Sequence, residues 1–144
     1  MPRREHASHI AIIGELAAQE LLGGRKRVES RLSRTCRAPF RAVQAGDLVY
    51  FKQSGGGVIG QAHVASVRHW TDMKPVDVLH LAQRFNPQVR APRSYWMARR
   101  RCRFATLIWL RGFKPHTPQL DLPRQFGNAW IVLGRLGMAG LAKA

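Results

Sequence analysis

The sequence predicts an α+β fold that is mainly β, a small curled β-barrel with short helices at its ends. Three observations carry this. Strand-like alternation recurs in residues 27–32, 47–53 and 58–70, and the last two runs are joined by Ser54-Gly55-Gly56-Gly57. Helical periodicity is confined to short stretches. Strands and helices do not alternate regularly, as a doubly wound sheet would require. With 144 residues, 45% of them apolar, the chain is long enough for one domain with a real core.

The elements follow in order. Residues 1–8 are polar and read as a disordered N-terminus. The domain spans 9–134, and 135–144 form a C-terminal tail. Residues 9–13 are a short isoleucine-rich run, either a strand or the approach to a helix. Residues 14–22 place Leu16, Gln19 and Leu22 at helical spacing, and Gly23-Gly24 stops the helix. In residues 27–32, Val28, Ser30 and Leu32 take one face and Arg27, Glu29 and Arg31 the other. Residues 39–46 connect to two β-rich strands, 47–53 and 58–70, which form a hairpin. Residues 77–85 space Val78, Leu79, Leu81, Ala82 and Phe85 along one helical face. A second short helix is expected over 94–102, with Ser94 as its cap. Residues 104–110 and 129–133 are apolar strands.

Charge is the outlier. Lys and Arg number 24 against 8 Asp and Glu, a net of +16, and 19 of the bases are arginine. The planar arginine fork suits phosphate and stacks on bases, so a polyanion partner, RNA or single-stranded DNA, is expected. An arginine bias from a GC-rich genome is the rival explanation. Cys36 and Cys102 form no CxxC and no metal-ligand spacing, so no metal or cofactor is expected, and a reduced cytoplasmic setting follows. Burial is the commoner explanation of such cysteines, although arginine-rich surroundings can lower a thiol pKa. No apolar run is long enough to span a membrane as a helix, and the N-terminus lacks a secretory h-region.

The stretch from Gly23 to Arg37 holds six bases and a single acid, Glu29. Within it, Gly24-Arg25-Lys26-Arg27-Val28-Glu29-Ser30-Arg31 spells G-x-K-x-x-E-x-R between a helix and a strand. This resembles the signature of the ASCH domains, members of the PUA-like barrel superfamily. The segment GDLVYFKQSGGGVIGQAHVASV is similar to that family's barrel hairpin, and YWMARRRCRFATLIWL to its closing helix and strand. The resemblance covers roughly residues 9–134. It implies a cleft beside the barrel lined by Lys26, Glu29 and Arg31, with Gly24 supplying the turn, and RNA-related binding or, in some members, enzymatic activity. By strand parity Glu29 and Arg31 share a face, whereas Lys26 joins them only from the turn before regular pairing begins. The alternative for the pair is a solvated ion pair on an open face, worth ~0–1 kcal/mol.

Two enzymatic readings stand beside binding. Some relatives remove the acetyl group from 4-acetylcytidine, using a threonine where this chain has Glu29 and a glutamate later in the chain. Every glutamate here lies at or before residue 29, which disfavours that activity. A metal-independent ribonuclease would need an acid–base pair and a cation; His63 and His69 are the candidates, with Lys26 or Lys52 as the cation.

Residues 90–103 hold six arginines and no acid. On a helix, Trp96, Arg99, Arg100 and Arg103 would share one side, with Tyr95, Ala98 and Cys102 turned inward. Arginines beside an aromatic ring are what a single strand needs, although Trp96 is equally suited to the core. Arg34 extends the charge beyond the signature strand, and Tyr50 and Lys52 add a ring and a cation from the hairpin. Trp109 and Trp130 lie in apolar runs and read as core.

Overall fold

The structure is a computed structural model that describes residues 5–115 and 129–134. The expected tail, 135–144, and residues 1–4 lie outside the described residues. Along the chain run β1 (Ser8–Ile13), α1 (Glu15–Leu22), β2 (Val28–Ser33), β3 (Leu48–Gln53), β4 (Val58–Trp70), α2 (Pro75–Val89), α3 (Arg93–Ala98), β5 (Phe104–Pro115) and β6 (Trp130–Gly134). The ambiguous run at 9–13 is therefore a strand, and order extends back to Ala7, which is buried.

One sheet holds all six strands, in the order β2-β5-β4-β3-β1-β6. Among the described residues, only β1 and β3 pair in parallel; the other pairs are antiparallel. Register shifts along β4 against β5, between Gln61 and His63 and between Val64 and Ser66, add the local bend and twist that curl a sheet. The curl brings edge strand β2 towards β1 and β6, where Arg31 spans the gap to Ile12 and Ala129.

Period-two alternation then decides what faces where. Inside the curl lie Ala11, Ile13, Val49, Phe51, Ala62, Val64 and Ile108, and α1 stoppers them with Ala18 and Leu21. On the outer face, Val28, Ala105 and Leu107 pack against Val78, Leu81, Phe85 and Val89 of α2 and Trp96 of α3. Helices α2 and α3 thus cover one flank of the sheet, and α1 alone fills the interior. Tyr50 belongs to a third, small cluster with Val58, on the face of β3 opposite Phe51.

The helices depart from their expected bounds for local reasons. Pro75 starts α2 at a position where its missing N–H is no loss, and the Asp77 carboxylate accepts from the Lys74 N–H. The residue N-terminal to α3 is Pro92, so Ser94 is not its cap, and the helix ends at Ala98 rather than running to 102. The side chain of Asn86 ties the end of α2 to α3, bonding Ala91 through both backbone groups and accepting from the Trp96 indole.

Gly60 of β4 lies against the Phe113–Lys114 stretch of β5 with no room for a side chain. A Cβ there would lie 2.6 Å from the Lys114 carbonyl oxygen and 2.6 Å from the Phe113 ring. Gly60→Ala is expected to destabilise the fold by about 1–3 kcal/mol, the range for overpacking. Urea unfolding of the variant checks this, and an unchanged midpoint would show that the two strands can separate at no penalty.

Candidate functional site

Lys26 precedes β2 rather than lying in it, which resolves the parity problem. From the turn its ammonium reaches the C-terminal end of α2, donating to the Val89 carbonyl at 2.9 Å. A helix C-terminus carries negative partial charge and suits a cation. The same Nζ stands 3.7 Å from Glu29 Oε1. Burial pushes the Lys26 pKa down, and the neighbouring Glu29 carboxylate opposes that shift.

Glu29 points to the inner side of β2. Its side chain is 7% exposed. Oε1 accepts from the Ser30 backbone N–H at 3.1 Å. Oε2 stands 3.7 Å from Arg31 Nη2, beyond hydrogen-bond range, and has no hydrogen-bond partner among the described residues. Arg31, also on the inner side, donates to Ala129 O at 3.1 Å and Ile12 O at 2.9 Å. Its guanidinium lies 5.2 Å from the centre of the Trp130 ring. Both terminal nitrogens are thus committed to backbone, while Nε is buried without a partner. Arg31 is a strut across the barrel gap first, and its Nε is the guanidinium nitrogen with no hydrogen-bond partner among the described residues.

These groups line a cavity of about 790 Å³ between β2, β1 and the α2–α3 junction, within the usual range of ligand pockets. Its walls carry Lys26, Arg31, Arg37, Arg90 and Arg99 against Glu15 and Glu29, with Phe40, Tyr95 and Trp130 as rings. Tyr95 donates its hydroxyl to the Ser30 carbonyl at 3.0 Å and meets Ser30 Oγ at 2.6 Å. Burial raises the Tyr95 pKa, against the pull of the Ser30 hydrogen bond, so the ring stays a neutral phenol. Arg99 lies 3.8 Å from the centre of the Tyr95 ring and donates to the Tyr95 carbonyl.

Of the residues singled out from sequence, Lys26, Glu29, Arg31 and Arg99 line this cavity. The others do not, each for a visible reason. Gly24 has φ of +74° and serves the α1–β2 turn. Tyr50 and Lys52 fall on the outward parity of β3. Trp96 is core, as its alternative reading allowed. Arg34 and Arg100 are exposed away from the cavity, and Arg103 pairs with Asp72 at 3.2 Å on the surface. Because α3 stops at Ala98, Trp96, Arg99, Arg100 and Arg103 never form one helical face. Sequence reading missed Ser30, Thr106, Phe40 and Trp130 as cavity residues. The inward turn of Tyr95 was the only local signal pointing there.

His63 and His69 do not assemble a nuclease pair. They are six residues apart on β4, about 20 Å along an extended strand, and neither lines the cavity. His69 meets Thr106 Oγ1 at 3.1 Å and packs edge-on to Phe40. Cys102 is buried and its thiol is pushed up by that burial, against nearby Arg99 and Arg34. No group of three His, Cys, Asp or Glu able to hold a metal occurs among the described residues, and no helix among them is long and apolar enough to cross a membrane.

The geometry defines a class: a curled six-stranded barrel with a charged cavity at the opening between its edge strands. Solved ASCH structures share this α+β fold. ASCH from Zymomonas mobilis superposes with a TM-score of 0.57 at 17% identity, covering 75% of this chain and 69% of that one. A serine-to-alanine variant of the Zymomonas protein gives 0.60 at 16% identity, with 78% and 73% covered. A tyrosine-to-phenylalanine variant gives 0.57 at 17%, with 90% and 78% covered. No sequence-family model matches the chain, and no curated protein sequence does.

Proposed function

We propose that this protein binds RNA, or another single-stranded nucleic acid, by lodging one base in the cavity beside β2, and that it does so in the cytoplasm. The observation that carries the reading is Glu29 Oε2, which has no hydrogen-bond partner among the described residues. A buried carboxylate oxygen without a hydrogen-bond donor is costly, and the exocyclic amino group of a base is a donor of the right kind. The Lys26 ammonium beside it supplies a donor for an acceptor on the same base edge. Arg37, Arg90 and Arg99 on the cavity walls suit the phosphates on either side of that base. Affinity then comes mainly from phosphate contacts and counterion release, and selectivity from the base edge at Glu29.

Glu29→Gln tests this. The amide replaces one acceptor oxygen by a donor, so the base that gives its amino group to Oε2 loses its advantage. Filter binding with the four homopolymeric single strands is expected to show a wild-type preference of about ten-fold or more shrinking in the variant. Overall affinity should fall much less. Equal preference in both proteins, or equally tight retention of polyglutamate, would overturn the reading in favour of a general anion surface.

A further inference from the structure

A second cluster of arginines and rings lies outside that cavity, where the end of β4 meets α2. Arg68 and Trp70 are two residues apart on β4, with guanidinium and indole 5.0 Å apart. Trp70 meets Phe85 of α2 edge-on at 5.9 Å, and Phe85 meets Trp109 at 5.6 Å, so the rings continue from the outer core to the surface. Arg68 also reaches Phe85 at 5.9 Å, and Arg84 lies 4.9 Å from the centre of the same Phe85 ring. Two cations are therefore held near one ring with no acid paired to either among the described residues. A recess of about 330 Å³ is lined by Trp70, Phe85, Leu81, Thr71, His80 and Arg84; Arg68 does not line it and adjoins it through the shared Trp70 and Phe85 rings. Asp77 is the acid among the lining residues; its Oδ2 accepts from the Lys74 N–H at 2.7 Å, which ties that oxygen to the start of α2.

A guanidinium stacked on a ring has its position fixed while its in-plane N–H groups stay free to grip an anion. Two cations near one ring, neither paired to an acid among the described residues, both gain from an anion bound beside that ring. We infer that Arg68 and Arg84, over Trp70 and Phe85, form a second phosphodiester-binding site that holds a single strand away from the base cavity. The site shares its partner with the function proposed above but none of its residues. Thr71 and His80 offer further donors to the same phosphate, and the recess is at the small end of ligand pockets, fitting one nucleotide unit rather than a folded protein segment.

The test uses the full chain, a mononucleotide, a long single-stranded homopolymer and a salt series. Arg68→Gln with Arg84→Gln is expected to weaken binding of the long strand and to lower the magnitude of its logarithmic salt slope by roughly 1.4, two phosphate contacts at about 0.7 each. Mononucleotide affinity and base preference should not change. Arg68→Lys with Arg84→Lys keeps the charge and loses the fork, so most of the slope should return while affinity stays below wild type. Thermal melting identifies any variant that fails to fold, and the lysine pair then decides. An unchanged salt slope in the glutamine pair overturns this site and leaves the Glu29 cavity standing. A reduced slope with no effect of Glu29→Gln overturns the cavity and leaves this site standing. A wild-type protein that binds no single strand overturns both.

Discussion

Replacing Arg31 by methionine is expected to destabilise the protein by about 3–5 kcal/mol, the range for removing one partner from a buried charged network. Methionine keeps much of the apolar stem over Trp130, so the loss isolates the guanidinium. That group donates to Ile12 O and Ala129 O on the far side of the barrel gap, and it stands beside the buried Glu29 carboxylate. Without it two carbonyls lose a charged donor, and Glu29 keeps only Lys26 as a counter-charge. Arg31→Lys should recover little, because one ammonium cannot span two carbonyls that the fork reaches with separate nitrogens. Urea unfolding monitored by tryptophan fluorescence measures this directly, since Trp130 lies under the guanidinium. A loss below about 1 kcal/mol would place Arg31 among ordinary surface residues and remove its role as a strut.

Asp47→Asn should be comparably severe, for a reason of donor and acceptor logic. Asp47 lies at 0% exposure and accepts from Ala7 N, Gln44 N and His9 Nε2. The Trp130 indole can only donate, and it donates to His9 Nδ1 at 3.1 Å. Nδ1 must therefore accept, the proton sits on Nε2, and the imidazole is neutral. An asparagine amide at position 47 would point its donor either at the Ala7 N–H or at both the Gln44 N–H and His9 Nε2–H, depending on which way it turns. Turning the tautomer to relieve that would set Nδ1–H against the indole. A destabilisation of about 3–5 kcal/mol follows.

The pH dependence has a definite sign. Burial alone would raise the Asp47 pKa, but the hydrogen bonds from Ala7, His9 and Gln44 outweigh it, so the folded carboxyl lies below its ordinary value. A depressed carboxyl contributes stability that is present above the unfolded pKa, about 4, and is lost as pH falls through the folded one. The gap between wild type and Asp47→Asn should therefore be full at neutral pH and shrink below about pH 4. Chemical unfolding at both pH values measures the gap, and one that widens in acid would contradict the assignment of Asp47 as the ionised partner.

Much of the architecture was legible because it is written at short range. Alternation with period two marked β2, β3 and β4, and the bounds of β4 at Val58 and Trp70 follow from its hairpin turn and its residue pattern alone. Glu29 and Arg31 sharing the inner face is the same arithmetic. Where helix capping depended on a proline, a reading from serine failed, and the supposed arginine face of α3 failed with it. Tyr50 and Lys52 were assigned to the site by residue type, whereas their parity turns them to the other face of β3.

By itself, the sequence determined the class of fold, the strands other than β1, and the presence of Lys26, Glu29 and Arg31 in one turn-and-strand unit. These depend on neighbours within a few positions. Only the tertiary structure decided that β2 closes towards β1 and β6, through a contact between residues 98 apart in the chain. It also decided that Arg31 is occupied as a strut while Glu29 keeps an open oxygen, and that Tyr95 and Arg99 complete the cavity wall. The physical reason is that hydrogen-bond satisfaction is settled by groups that folding brings together, and no local spacing records which of them will meet.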